Sequence, residues 1–154
     1  MKQSPDLDAV QAAMAPGKIT LTGFLGDDTR KLIEILIDDN AVVERAGFDH
    51  SDIADRMQQL RDGGRKGLGE FVKVEPGFEV KVESVRGKLP CPFGDGVLIP
   101  KENTTVRNSL SDEEIVYSDL LLHMIREHGF YEGRGCPFRI GPRVLIRVLG
   151  MTPE

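Results

Sequence analysis

Phe71-Val-Lys-Val-Glu-Pro-Gly-Phe-Glu-Val-Lys-Val-Glu-Ser-Val-Arg86 alternates apolar and charged side chains on either side of a Pro-Gly break. Val72, Val74, Phe78, Val80 and Val82 share one parity, and Lys73, Glu75, Glu79, Lys81 and Glu83 share the other. Period two over this length marks two half-buried strands, and the break between them marks a hairpin. A loop of Glu75, Pro76 and Gly77 sets Val74 opposite Phe78 and Lys73 opposite Glu79. That register keeps one face apolar and pairs opposite charges across the strands. A hairpin here makes the sheet antiparallel, and so the fold α+β rather than doubly wound.

Upstream, residues 28–62 read as an αα-hairpin. Its first helix begins at Asp27 and Asp28, where acids favour the positive end of the dipole, and runs to Ala46 before Gly47. Leu32, Ile33, Ile35, Leu36 and Ile37 wrap most of its circumference, which predicts deep burial, while Asp38-Asp39-Asn40 are poor helix formers placed to break it. The second helix has Asp49 as N-cap, an apolar stripe of Ile53, Met57 and Leu60, and an end at Gly63-Gly64. Before this pair, residues 18–24 alternate and read as a strand. Residues 1–17 form a small Ala-rich helical arm, with Ser4 as N-cap and Pro5 at N1, attached loosely to a single α+β domain over residues 18–154.

Downstream, residues 97–99 are a short strand ended by Pro100, residues 103–108 another, and residues 115–117 a return after a polar turn. Ser118 caps the helix Asp119–His128, with Gly129 at C′. Pro142 and Gly150 bracket a last short helix, although Val144, Ile146 and Val148 fit a strand nearly as well. The expected architecture is an αα-hairpin plus one further helix packed on a small, mainly antiparallel sheet.

Composition sets the boundaries of function. The 154 residues carry a net charge of -5, and Leu, Ile, Val and Phe are abundant enough for one ordinary core. The acidic excess lies in residues 1–64, with 12 acids against 7 bases, which argues against an extended nucleic-acid surface. No apolar run approaches the roughly 18 residues of a membrane span, and the first residues lack a secretory core, so a cytoplasmic setting is expected. Ser118-Asp-Leu-Leu-Leu-His-Met-Ile-Arg-Glu-His-Gly-Phe130, with Gly23-Phe-Leu-Gly-Asp-Asp-Thr-Arg30 upstream, resembles a group of small uncharacterised bacterial cytosolic proteins with no assigned activity. The resemblance covers most of the chain after the arm. It implies a bacterial cytosolic setting and no chemistry.

Chemistry-bearing residues concentrate late in the chain. The glycine-rich loop 129–142 carries Arg134 and Arg139, and Arg126 precedes it on the helix. Guanidinium groups suit carboxylate and phosphate, so these three are the candidate ligand-binding residues of a non-catalytic protein taking a small anionic ligand or a protein partner, with no cofactor. The alternative is a metal-binding protein or enzyme centred on Cys91, His123, His128 and Cys136, a zinc set in composition. Against it, His123 and His128 stand roughly 140° apart around the helix and do not converge as an i, i+4 pair does. No metal is therefore expected, and both thiols should be free. Asp119, His123 and Glu127 form one stripe, suited to a general base or to a solvated face. Gly63-Gly-Arg-Lys-Gly-Leu-Gly69 resembles a phosphate cradle, but lacks the helix or Gly-Lys-Ser/Thr that would complete one, and reads as a connection. The tripeptide Cys-Pro-Phe occurs twice, at residues 91–93 and 136–138. A buried thiol before a turn proline accounts for both.

Overall fold

The computed structural model describes residues 2–153, and in them the α+β architecture is present. The order is α1 (Pro5–Ala13), α2 (Leu32–Arg45), α3 (His50–Gly64), β1 (Val72–Glu75), β2 (Phe78–Pro90), β3 (Leu98–Asn108), β4 (Glu113–Ser118), α4 (Asp119–His128) and α5 (Pro142–Val148). The four strands form an antiparallel meander in the order β1-β2-β3-β4. Among the described residues no helix is long and apolar enough to cross a membrane.

One face of the sheet offers Val80, Val82, Val106, Ile115 and Tyr117 to Ile53, Met57 and Leu60 of α3 and to Leu121, Met124 and Ile125 of α4. Each such side chain withdrawn from water contributes about 1.5–3 kcal/mol. Tyr117 reaches through this layer and donates its hydroxyl to the Met57 carbonyl at 2.7 Å, so its polar tip is satisfied. α3 is held by the expected cap: the Asp49 carboxylate accepts from Asp52 N–H, and the Asp52 side chain accepts from Asp49 N–H. α3 ends at Gly63-Gly64 as expected, and the two glycines form its last turn. A Cβ at Gly64 would strike Val80 and one at Gly63 would meet Val74 at 2.6 Å, so the glycines let the helix press onto the sheet.

The β1–β2 register is half as expected. Lys73 faces Glu79, but Glu75, not Val74, faces Phe78. The loop shortens to Pro76-Gly77 and a bulge at Val74 absorbs the extra residue. Of the two expected strands, residues 98–99 and 103–108 belong to one strand, β3, that continues through Pro100, while Val97 lies in the preceding turn. Proline is tolerated there because the β2–β3 ladder is interrupted between Ser84 and Lys88, and Pro100 pairs beyond the break.

Residues 18–24 are not a strand. Gly17 N–H donates to Thr20 O at 2.8 Å and Gly23 N–H to Thr20 Oγ1 at 3.0 Å, so local bonds close the backbone on itself. Leu21 is left 88% exposed. α2 begins at Leu32 rather than at Asp28, and its first N–H groups are capped from a distance: Leu32 N–H donates to Gln11 Oε1 and Ile33 N–H to Gln3 Oε1. The N-terminal arm is thereby fastened rather than loose, and Met14, just after α1, is fully buried. Asp38-Asp39-Asn40 do not break α2. Burial is confined to one side, Leu32, Ile35, Asp39 and Val43, and Ile37 faces water. α5 is a helix, Pro142–Val148, and is followed by a left-handed Gly150 that abuts Phe78.

Candidate metal centre

The connection between β2 and β3 is a knuckle, Cys91-Pro-Phe-Gly-Asp-Gly-Val97. Gly94 N–H donates to Cys91 O, Cys91 N–H donates to Val97 O, and Val97 N–H donates to Asp95 Oδ1. Gly94 and Gly96 take positive φ, 71° and 77°, which permits a turn this tight. The knuckle stands against the C-terminal end of α4, a helix set by Ser118 at its N-cap, whose Oγ accepts from Leu121 N–H at 3.0 Å.

Here the structure corrects the helical-wheel argument. His123 Nε2 and His128 Nε2 lie 2.8 and 2.9 Å from the same oxygen, Asp95 Oδ2. Their ring centroids are 5.6 Å apart. Rotation about a helix separates Cβ atoms, but a long flat side chain from the last turn can lean across the helix end, and Asp95 offers both imidazoles one target. An ionised carboxylate only accepts, so each Nε2 carries a proton in this arrangement. Phe93 stacks on the His128 ring at 4.1 Å with 7° between the planes, and meets Phe130 edge-on. This sandwich fixes the plane of the imidazole.

Cys91 completes the group. One ligand atom from each of Cys91, Asp95, His123 and His128 lies within 4.8 Å of all the others. Burial pushes the Cys91 thiol up to about 11, and the neighbouring Asp95 charge adds to the rise. Burial alone would raise the Asp95 carboxyl, but hydrogen bonds from His128, Val97 N–H and His123 outweigh it and hold the group well below the usual carboxylate range. Three members of the sequence-derived alternative therefore meet. Cys136, the fourth, does not, and Asp95 takes its place. Nothing periodic marks Asp95, but its position between Gly94 and Gly96, four residues after a cysteine, is the signal that would have found it.

Cys136 sits in a second turn of the same kind, with Arg139 N–H donating to Cys136 O as Gly94 N–H does to Cys91 O. Its thiol donates to Glu132 Oε1 at 3.2 Å. Both cysteines are free and buried.

The arginines of the glycine-rich loop go separate ways. Arg139 clamps Asp39 of α2 with both terminal nitrogens, at 2.9 and 2.8 Å, and also donates to Glu132 O. Arg126 binds Asp55 and Gln58 of α3. Arg134 is exposed, and its guanidinium has no hydrogen bond or ion pair among the described residues. The acidic stripe of α4 is also divided: Asp119 pairs with Arg61, which further binds Glu102, while His123 turns to Asp95 and Glu127 faces water. The glycine-rich 63–69 segment finishes α3 at Gly64, makes one 3-10 turn, Arg65–Gly67, and leads to β1.

Comparison of the chain with protein-family models, with curated proteins and with solved structures finds no match.

Proposed function

We propose that the protein binds a divalent transition metal, Zn²⁺ before others, through Cys91, Asp95, His123 and His128. The observation that carries this reading is the meeting of four ligand atoms of mixed type, one sulfur, one oxygen and two nitrogens, within 4.8 Å of one another. Bond lengths of about 2.0–2.3 Å imply ligand separations of roughly 3.3–3.8 Å in a tetrahedron, so each side chain need move only on the order of 1 Å. Thiolate with imidazole favours zinc over magnesium or calcium, which prefer all-oxygen shells. The metal would replace the protons now shared between the imidazoles and Asp95, together with the thiol proton of Cys91.

Four protein ligands fill a tetrahedron and leave no open position, the pattern of structural rather than catalytic zinc. Two ligands come from the β2–β3 knuckle and two from the end of α4, so the ion would fasten the hairpin tip to the helix. The reading built on Arg126, Arg134 and Arg139 has less behind it, because Arg126 and Arg139 already neutralise the protein's own carboxylates.

Metal analysis of protein produced without a histidine tag tests the proposal. About one equivalent of zinc per chain is expected, and the double variant His123→Ala with His128→Ala should carry none. Substoichiometric metal after zinc supplementation, or equal metal in the double variant, would contradict it.

A further inference from the structure

Beside α4, between that helix, the outer part of the β2–β3 hairpin and the loops 20–24 and 132–138, lies a cleft of about 390 Å³ with a largely apolar lining, including Phe24, Leu89, Leu120 and Met124. Its rim carries side chains that water would not select: Leu21, Val85 and Phe138 are 88%, 61% and 60% exposed. One acid lines it, Glu132, and only 3% of that residue is exposed.

Glu132 is held there deliberately by the backbone. Its φ is 70°, a conformation side chains other than glycine seldom take. It is fixed by Gly133 N–H donating to Phe24 O and by Arg139 donating to Glu132 O. The loops 23–27 and 132–136 interlock so closely that a Cβ at Gly26 or Gly133 would collide with the opposing backbone. The carboxyl itself is poorly served. Its one hydrogen bond is from the weak thiol donor of Cys136. Arg139, the nearest guanidinium, spends its side-chain donors on Asp39 and on a backbone oxygen. Backbone strain and a buried, under-served acid at the wall of an apolar cleft are features that binding sites combine.

We propose that this cleft binds a small, mainly apolar molecule carrying an amine, whose ammonium group pairs with Glu132 while its hydrocarbon part lies against Leu120, Met124 and Phe138. The volume falls within the usual range for small-molecule sites. The ammonium supplies the charge and donors that the buried carboxylate lacks, and the apolar body displaces water from the cleft. The cleft uses none of the four side chains of the proposed metal site, although both draw on α4 and on the β2–β3 hairpin.

The pH dependence follows from the same groups. Burial pushes the Glu132 carboxyl up to about 7, against the opposing effects of the Cys136 bond and the Arg139 charge. The charged or titratable groups around it are Cys136 and Arg139 from its own loop, Asp39 of α2 behind Arg139, and Lys101 of β3, whose chain lies along Gly87. A simple alkylamine stays protonated throughout the neutral range, so only the protein's carboxyl changes state, and amine affinity rises as pH climbs through about 7.

Calorimetric titration with 1-hexylamine, hexan-1-ol and hexanoate tests this. Hexylamine should bind saturably and about tenfold more tightly than either analogue, and the preference should fall by about tenfold in Glu132→Gln. Val85→Trp, a change at the exposed rim that leaves the core intact, should block all binding. If Glu132→Gln fails to fold, the pH series on the unaltered protein decides, with affinity rising between about pH 6 and pH 8 as expected. No saturable binding of hexylamine, equal affinity for the three probes, a flat pH profile, or full affinity in Val85→Trp would each overturn the proposal.

Discussion

The two Cys-Pro-Phe triplets fold alike and are put to different uses. In each, proline occupies the second position of a turn closed by an N–H to the cysteine carbonyl, and burial lifts each thiol to about 11. What differs is the partner that tertiary structure delivers. Cys91 is brought to two imidazoles and a strongly ionised carboxylate, and Phe93 is clamped between His128 and Phe130. Cys136 is brought to a carboxyl that burial protects from ionising, and Phe138 is left at the edge of a cleft. The same tripeptide thus presents a thiol to two imidazoles and a carboxylate in one place and to a buried acid in the other. A local motif specifies the turn, and its surroundings specify the chemistry.

The comparison breaks first if zinc does not separate the two thiols. Zinc well above its dissociation constant should raise the melting temperature of the unaltered protein and of Cys136→Ser by on the order of 10 °C, and that of Cys91→Ser far less. Equal responses in the two variants would remove the distinction.

Glu132 supplies the next largest effect. Its folded-state pKa, about 7, lies above the ordinary 4.5, so the folded protein holds this proton more tightly than the unfolded chain. The resulting stability is fully present below about pH 4.5 and is lost as pH rises through about 7. Glu132→Gln removes that loss and should gain on the order of 3 kcal/mol relative to the unaltered protein between pH 4.5 and pH 8. Denaturation curves at both pH values measure it, and parallel curves for the two proteins would mean that the carboxyl is solvated.

The phenylalanines sharpen the contrast further. Phe93→Ala, which removes the ring stacked on His128, should cost roughly 2–3 kcal/mol, whereas Phe138→Ala should cost under about 0.5 kcal/mol. Similar losses by urea denaturation would show that both triplets serve packing alike. Ser118→Ala is expected to have the smallest effect on the site, about 1 kcal/mol, through loss of the N-cap of the helix carrying both histidines. An unchanged denaturation midpoint at constant slope would remove that role.

What could be read from the chain was what is decided locally. The caps at Asp49, Ser118 and Ser4 and the stripe of α3 depend on residues within a turn or two, and all are present. The hairpin at Pro76-Gly77 was legible for the same reason, although a bulge is invisible to parity counting. The start of α2 was not, because its caps are Gln3 and Gln11, 30 and 21 residues away in sequence from the N–H groups they satisfy. Neither was the burial of Asp39, which depends on Arg139, 100 residues on. The candidate site was half legible. Cys91, His123 and His128 could be named from composition, but Asp95, the residue that draws the histidines together, lies 28 and 33 residues from them. Angular separation on a helical wheel says nothing about a side chain at the final turn leaning over the helix end.

At the proposed metal site, Cys91 and the two histidines would bind one metal ion together while Cys136 stays apart. Titration of the reduced protein with Co²⁺, followed by absorption, tests it most directly. A thiolate-to-cobalt charge-transfer band and strong tetrahedral ligand-field bands should saturate at about one equivalent, survive Cys136→Ser, and vanish together in Cys91→Ser. Weak octahedral bands without charge transfer, or a thiolate band lost in Cys136→Ser and kept in Cys91→Ser, would contradict it.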